Sequence, residues 1–172
     1  MDFIIRQEES KDNQDVFDLI KLAFRDLEIS DHDEQDLVER LRLSDAFIPE
    51  LSLVAELDGK VIGHILFTKI KVGDKVVLTL APLAVLPSMQ GKGVGTALMN
   101  EGHRIACDLG FDAVIVVGHE DYYPRVGYVP AMDFGISMPF DVPAESFMVL
   151  DLSGNALDFL SGVVEFPLEF FP

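Results

Sequence analysis

A chain of 172 residues can bury one substantial core, and 49% apolar with 25% charged residues is a globular rather than a disordered composition. A formal charge of −17 argues against nucleic acid as a partner, because phosphates select basic surfaces. A lone Cys107 rules out an internal disulfide and a cysteine-built zinc site. No apolar run approaches the ~20 residues of a membrane span, and MDFIIRQEES is too acidic for a signal peptide, so a cytoplasmic protein with no membrane partner is expected.

In chain order, Asp2 to Gln7 reads as a first strand. Lys11 to Leu27 places Val16, Ile20, Ala23, Phe24 and Leu27 at the spacing of an amphipathic helix. Asp31 to Leu43 reads as a second, shorter helix, with Asp31 and Glu34 as a cap pair and Leu37, Val38 and Leu41 as its inner stripe. Leu51 to Leu57, the turn Asp58-Gly59 and Lys60 to Ile70 form a hairpin, since Asp-Gly between two apolar runs suits a tight two-residue turn. A second turn at Val72 to Lys75 returns the chain as Val76 to Leu86, which completes an antiparallel meander of strands two, three and four. Pro82 cannot donate to a ladder, so a bulge or lost pairing is expected at Ala81-Pro82.

The stretch Leu80 to Gly110 then runs strand, glycine turn, helix. Gly91, Gly93 and Gly95 stand at every second position, with Gln90 before them and Lys92 between them. That layout aims free backbone N–H groups at an anion. It is not a P-loop, because Lys92 is followed by glycine. It is not a dinucleotide fingerprint either: Thr96 or Leu98 stands where the third glycine belongs. Residues 60–110, with six basic and three acidic side chains, carry the one positive net charge, +3. Residues 1–50 and 111–172 each carry −9, which suits an anionic ligand at the turn and a cationic one elsewhere.

The helix from Val94 to Leu109 has an expected inner stripe at Val94, Leu98, Ile105, Ala106 and Leu109, and Gly110 stops it. Cys107 within it is expected to be a buried, inert thiol. Asp112 to Val117 reads as a strand buried on both faces and parallel to the one before the loop. Phe147 to Leu152 is expected as the last sheet strand and Gly162 to Pro167 as a short extension. The four histidines are scattered, so no metal site is expected.

Gln90, Gly93 and Gly95 after L-A-V-x-P fit Q-x-x-G-x-G, which resembles the acetyl-CoA motif of the GCN5-related N-acetyltransferase (GNAT) family. ELSLVAELDGKVIGHILF, LAPLAVLPSMQGKGVG, and YYPRVGY followed by FMVLDL resemble its YhbS-like branch, and the likeness covers most of the chain. The resemblance implies one domain over 1–172 with an α/β (α+β) GNAT fold. Its central sheet would be mixed and mostly antiparallel, with about six to seven strands, flanked by helices and splayed at the fourth strand. It implies that Leu83, Ala84 and Val85 pair with the pantetheine of acetyl-CoA. Gln90, Gly91, Lys92, Gly93, Val94, Gly95 and Thr96 would hold its pyrophosphate. The first two helices would wall the acceptor site.

Tyr123, four residues before Gly127, matches the family's tyrosine and would protonate the leaving thiolate, a role that a phenol suits at neutral pH. Tyr122 stands beside it as a second candidate. His119, Glu56, His64 and ordered water are candidates for the base. The implied activity is direct transfer of acetyl from acetyl-CoA to a primary amine of a cationic small-molecule or peptide acceptor, by a monomer or homodimer. The alternative is a GNAT-fold module that binds acyl-CoA as a sensor or partner without turnover.

Overall fold

The computed structural model describes residues 2–28 and 30–171. Strand β1 (Ile4–Gln7) is followed by helix α1 (Asn13–Phe24), helix α2 (Glu34–Arg42) and the meander β2 (Phe47–Leu57), β3 (Lys60–Val72) and β4 (Lys75–Val85). Helix α3 (Val94–Asp108) then leads to β5 (Ala113–Val117), β6 (Val129–Pro130), β7 (Ile136–Ser137), β8 (Phe147–Asp151) and β9 (Gly162–Glu165). The sheet runs β1-β2-β3-β4-β5-β8-β6, antiparallel throughout except for the parallel pair β4 and β5. The end of β3 also pairs antiparallel with β9, which pairs in parallel with β7. The expected mixed, mostly antiparallel sheet is therefore present. Its two-residue strands β6 and β7 are too short to leave a periodic signal.

Local chemistry explains where the elements start and stop. Asp58 and Gly59 both take positive φ, 51° and 79°, which makes the tight turn between β2 and β3. Helix α1 begins later than its apolar spacing predicts. The buried Asp12 carboxylate accepts the Glu9 N–H at 2.8 Å and a two-point contact from Arg6, which holds residues 10–12 in a tighter turn. The expected Asp31–Glu34 cap pair does not form. Asp33 is the N-cap of α2, and Glu34 instead accepts the Ser30 hydroxyl at 2.7 Å.

Alternation along the strands gives the sheet two apolar faces. Val54, Leu66 and Ala84 pack under α1 and α2 with Val16, Ile20, Val38 and Leu41. Leu53, Ile65, Phe67 and Leu80 pack under α3 with Val94, Leu98, Met99 and Ala106. Two expectations for α3 are corrected. Leu109 is 44% exposed, with Met99 and Gly102 buried on the inner side. Cys107 is exposed, because residue 107 turns away from the sheet at the helix's end.

Strands β4 and β5 pair only at Leu78–Val114 and Thr79–Ile115. The Thr79 hydroxyl fastens that last pair by donating to the Ile115 carbonyl at 3.1 Å. Beyond it the strands part. Phe67 faces Leu80 while Ile65 faces Leu83, so β4 carries one extra residue at Ala81-Pro82, the expected bulge. Among the described residues no helix is long and apolar enough to cross a membrane.

Candidate active site

The parting of β4 from β5 opens a cavity of about 1150 Å³. Its walls come from four places: the second half of α1 through the start of α2, β4 with the turn after it, the end of β5, and the Asp121–Arg125 turn. Of the site residues expected from sequence, Leu83, Val85, Gln90, Gly91, Gly93, Val94, Gly95, Thr96 and Tyr123 line it. Ala84 and Lys92 do not. The Ala84 side chain is buried under α1 and α2, and Lys92 lies exposed on the outer side of the turn.

The backbone of β4 divides its polar groups by alternation. The Leu86 N–H bonds the Ile62 carbonyl of β3 at 2.9 Å, so Leu86 and Ala84 present their groups to β3. Leu83 and Val85 face the opening. The Gln90 side-chain amide donates to the Val85 carbonyl at 3.1 Å, which draws the glycine turn back onto the strand.

Gly93, with φ of +85°, is the N-cap of α3 and turns the chain into the helix. No side chain caps α3, and its first turn holds no acid. Helices α1 and α2 also lack a side-chain cap hydrogen bond but carry acid there: Asp15 stands in the first turn of one, Glu34 and Asp36 in that of the other. The N–H groups of Val94, Gly95 and Thr96 have no carbonyl one turn earlier and stand at the positive end of the helix dipole. No atom lies within 4 Å of where a β-carbon would stand at Gly91 or Gly93, so the turn leaves room for an anion. The turn thus has the shape and polarity of a phosphate cradle.

Three tyrosines pack beside it. The Tyr122 and Tyr123 rings meet edge to face with centroids 5.2 Å apart, and Tyr123 meets Tyr128 at 5.6 Å. Burial, with Tyr122 beside it, raises Tyr123 above the usual phenol range, so it stays a proton donor at neutral and mildly alkaline pH. Tyr128 is raised in the same way, and its hydroxyl shares a 2.9 Å hydrogen bond with His103, which burial lowers to about 4 and keeps neutral. Tyr122 is engaged on two sides. The Arg125 guanidinium lies 4.4 Å over its ring, and its hydroxyl rests against Gly95.

Of the candidates for a base, His119 lines the cavity at the end of β5, where its Nδ1 accepts the Asp121 N–H at 3.2 Å. Glu56 and His64 lie elsewhere. Glu56 pairs with Arg6 at 3.3 Å on the sheet's outer strands. His64 is fully buried, and burial lowers it to about 4.

The structure adds lining residues that motif reading did not single out: Asp26, Ser30, Glu34, Asp121 and Arg125. The acidity of the first two expected helices signalled Asp26 and Glu34, and nothing in the motif reading signalled Asp121 as lining.

Comparison with known proteins agrees with this geometry. A family model described as the acetyltransferase (GNAT) family matches residues 14–128. The chain is 39% identical over 139 residues to an uncharacterized N-acetyltransferase, YjhQ, of Escherichia coli strain K12, covering 78% of this chain and 76% of that protein. The crystal structure of the GNAT family N-acetyltransferase YhbS from E. coli, in complex with CoA, superposes with a TM-score of 0.89 at 29% identity, covering 99% and 92% of the two chains. A GNAT family acetyltransferase from Brucella melitensis, in complex with acetyl-CoA, superposes with a TM-score of 0.83 at 30% identity, covering 98% of each. An uncapped helix beside a splayed strand, with a family match across most of the chain, makes this protein a member of the GNAT acetyltransferase family.

Proposed function

We propose that this protein transfers an acetyl group from acetyl-CoA directly to the nitrogen of a primary amine. The observation that carries the reading is the first turn of α3, uncapped and free of acid, opening into the same cavity as the parted edge of β4. The turn Gln90–Thr96 would hold the pyrophosphate through backbone N–H groups, with Lys92 adding positive charge from outside the cavity. The polar groups of Leu83 and Val85 would pair with the pantetheine arm, and Ala84 would hold that stretch of β4 to β3. The CoA and acetyl-CoA bound by the two superposed structures support this assignment.

The chemistry asked of the protein is small. A free amine nitrogen attacks the thioester carbonyl carbon, a C–N bond forms and the C–S bond breaks. The sulfur leaves with the bonding pair and takes a proton from the Tyr123 hydroxyl. The proton shed by the nitrogen passes to solvent, with His119 the base candidate that lines the cavity. N–H groups aimed at the carbonyl oxygen stabilise the charge that develops there.

The test is calorimetric titration of acetyl-CoA into the protein and into Gly93→Glu, followed by thiol release from acetyl-CoA with a panel of primary amines. Binding that is lost in the variant, with thiol release dependent on an amine, is the expected result. Binding without amine-dependent release would leave a cofactor-binding module. No binding at all would remove the reading.

A further inference from the structure

The part of the cavity lining that comes from the end of α1 and the start of α2 has a character of its own. Leu22, Phe24, Leu27 and Leu37 line it, and Leu22 and Leu27 are 37% and 45% exposed although they border a cavity. Into this apolar wall α2 presents Glu34. Both of its carboxylate oxygens lie 2.7 Å from the Ser30 hydroxyl, which in turn accepts the His32 N–H at 2.9 Å. The hydroxyl proton and the N–H therefore fix the rotamer of Ser30, and Ser30 fixes Glu34. Among the described residues no lysine or arginine pairs with Glu34. Among the described residues Arg125 is the one lysine or arginine lining the cavity, and its guanidinium lies over the Tyr122 ring.

A carboxylate held in one place, without a side-chain counter-cation among the described residues and sharing its cavity with Leu22, Phe24, Leu27 and Leu37, matches an ammonium joined to an apolar body. It opposes any acceptor carrying a second, negative group, which would face both Glu34 and Asp26. We propose that the acceptor is a primary amine on an apolar body. Glu34 is the residue that receives its ammonium, and Ser30 is a positioning residue acting through Glu34. The inference rests on the acetyl-transfer reading and names the acceptor class for that same cavity.

The experiment uses 2-phenylethylamine as the probe, with L-glutamate and glucosamine 6-phosphate as amines that bear a negative group. Steady-state acetylation is expected to favour 2-phenylethylamine. Glu34→Gln raises the KM for that amine at least tenfold and leaves the KM for acetyl-CoA unchanged, which also shows that the variant folds. Ser30→Ala raises the amine KM in the same sense, and Ser30→Thr, which restores the hydroxyl, recovers it. A change below tenfold in Glu34→Gln, or a preference for either negatively charged amine, overturns the inference while leaving acetyl transfer standing.

If no amine supports turnover, acetyl transfer itself fails. Calorimetric titration of 2-phenylethylamine into the CoA complex then decides the role of Glu34. Binding that Glu34→Gln abolishes upholds it. Equal binding by both, or none by the unaltered protein, overturns it.

Discussion

The Tyr122 hydroxyl rests against Gly95 in the first turn of α3, in space that any β-carbon at residue 95 would enter. The contact ties the tyrosine turn to the first turn of α3, so the third glycine of the motif serves packing. Gly95→Ala is expected to destabilise the fold by about 1–3 kcal/mol through overpacking, offset by up to about 1 kcal/mol of helix propensity. Tyr122→Phe removes only the clashing oxygen, and the next ring atom sits 3.6 Å from that β-carbon, an ordinary contact. Urea unfolding of both single variants and the double variant checks this. The double variant should regain most of the loss.

Tyr123→Phe is expected to lower kcat about 100-fold or more, with KM for acetyl-CoA within threefold and no change in unfolding midpoint. Tyr122→Phe should cost less than tenfold. Because burial raises Tyr123 above the ordinary phenol value of 10.0, it remains protonated through mildly alkaline conditions. A kcat profile from pH 7 to 10 should therefore show no alkaline fall. A fall centred below pH 9 would point to a different acid.

His64 sits at the bottom of a buried polar cluster. The Ser52 hydroxyl donates to Glu8 at 2.9 Å and lies 3.2 Å from His64 Nε2, while Arg42 holds the other side of Glu8. With the Ser52 proton on Glu8, Nε2–H donates to Ser52, and Nδ1 is left without a partner. Burial lowers His64 to about 4 from 6.5, against the attraction of Glu8 3.8 Å away. Between those values the unfolded chain holds more protons than the fold, so stability falls as pH drops from 6.5 to 4. The loss from this one group is about 3 kcal/mol. His103, also lowered to about 4 by burial, adds in the same direction. His64→Leu should make the decline shallower, as read from urea unfolding at pH 7 and pH 4.5.

Cys107 is exposed, its thiol 3.4 Å from the Leu152 carbonyl. It should react with a thiol reagent in the native protein at a rate close to that of the unfolded chain. Cys107→Ser should change stability by no more than about 0.5 kcal/mol, as surface substitutions do. Slow labelling of the native protein would place the thiol in the core instead.

The features legible in the sequence were those whose cause is local. The Asp58-Gly59 turn, the bulge at Ala81-Pro82 and the glycine turn from Gly91 to Gly95 each depend on backbone freedom or a missing donor within a few residues. The strand–turn–helix order then makes β4 and β5 parallel through the right-handed crossover. Tertiary structure alone decided what those elements meet. Helical spacing offers a stripe of positions, but which of them the sheet covers is set by packing, so Leu109 and Cys107 face outward while Met99 and Gly102 face in. Glu56, His64 and His119 were all candidates for a base as letters, with His119 the best placed at the end of its strand. Arg6 claims the first, the core encloses the second, and only His119 reaches the cavity. Glu34 read as part of a cap and became a cavity wall, because the fold of α1 against α2 brings residues far apart in sequence to the opening in β4. Local rules determine how a segment bends, and long-range packing determines which side chains share a space.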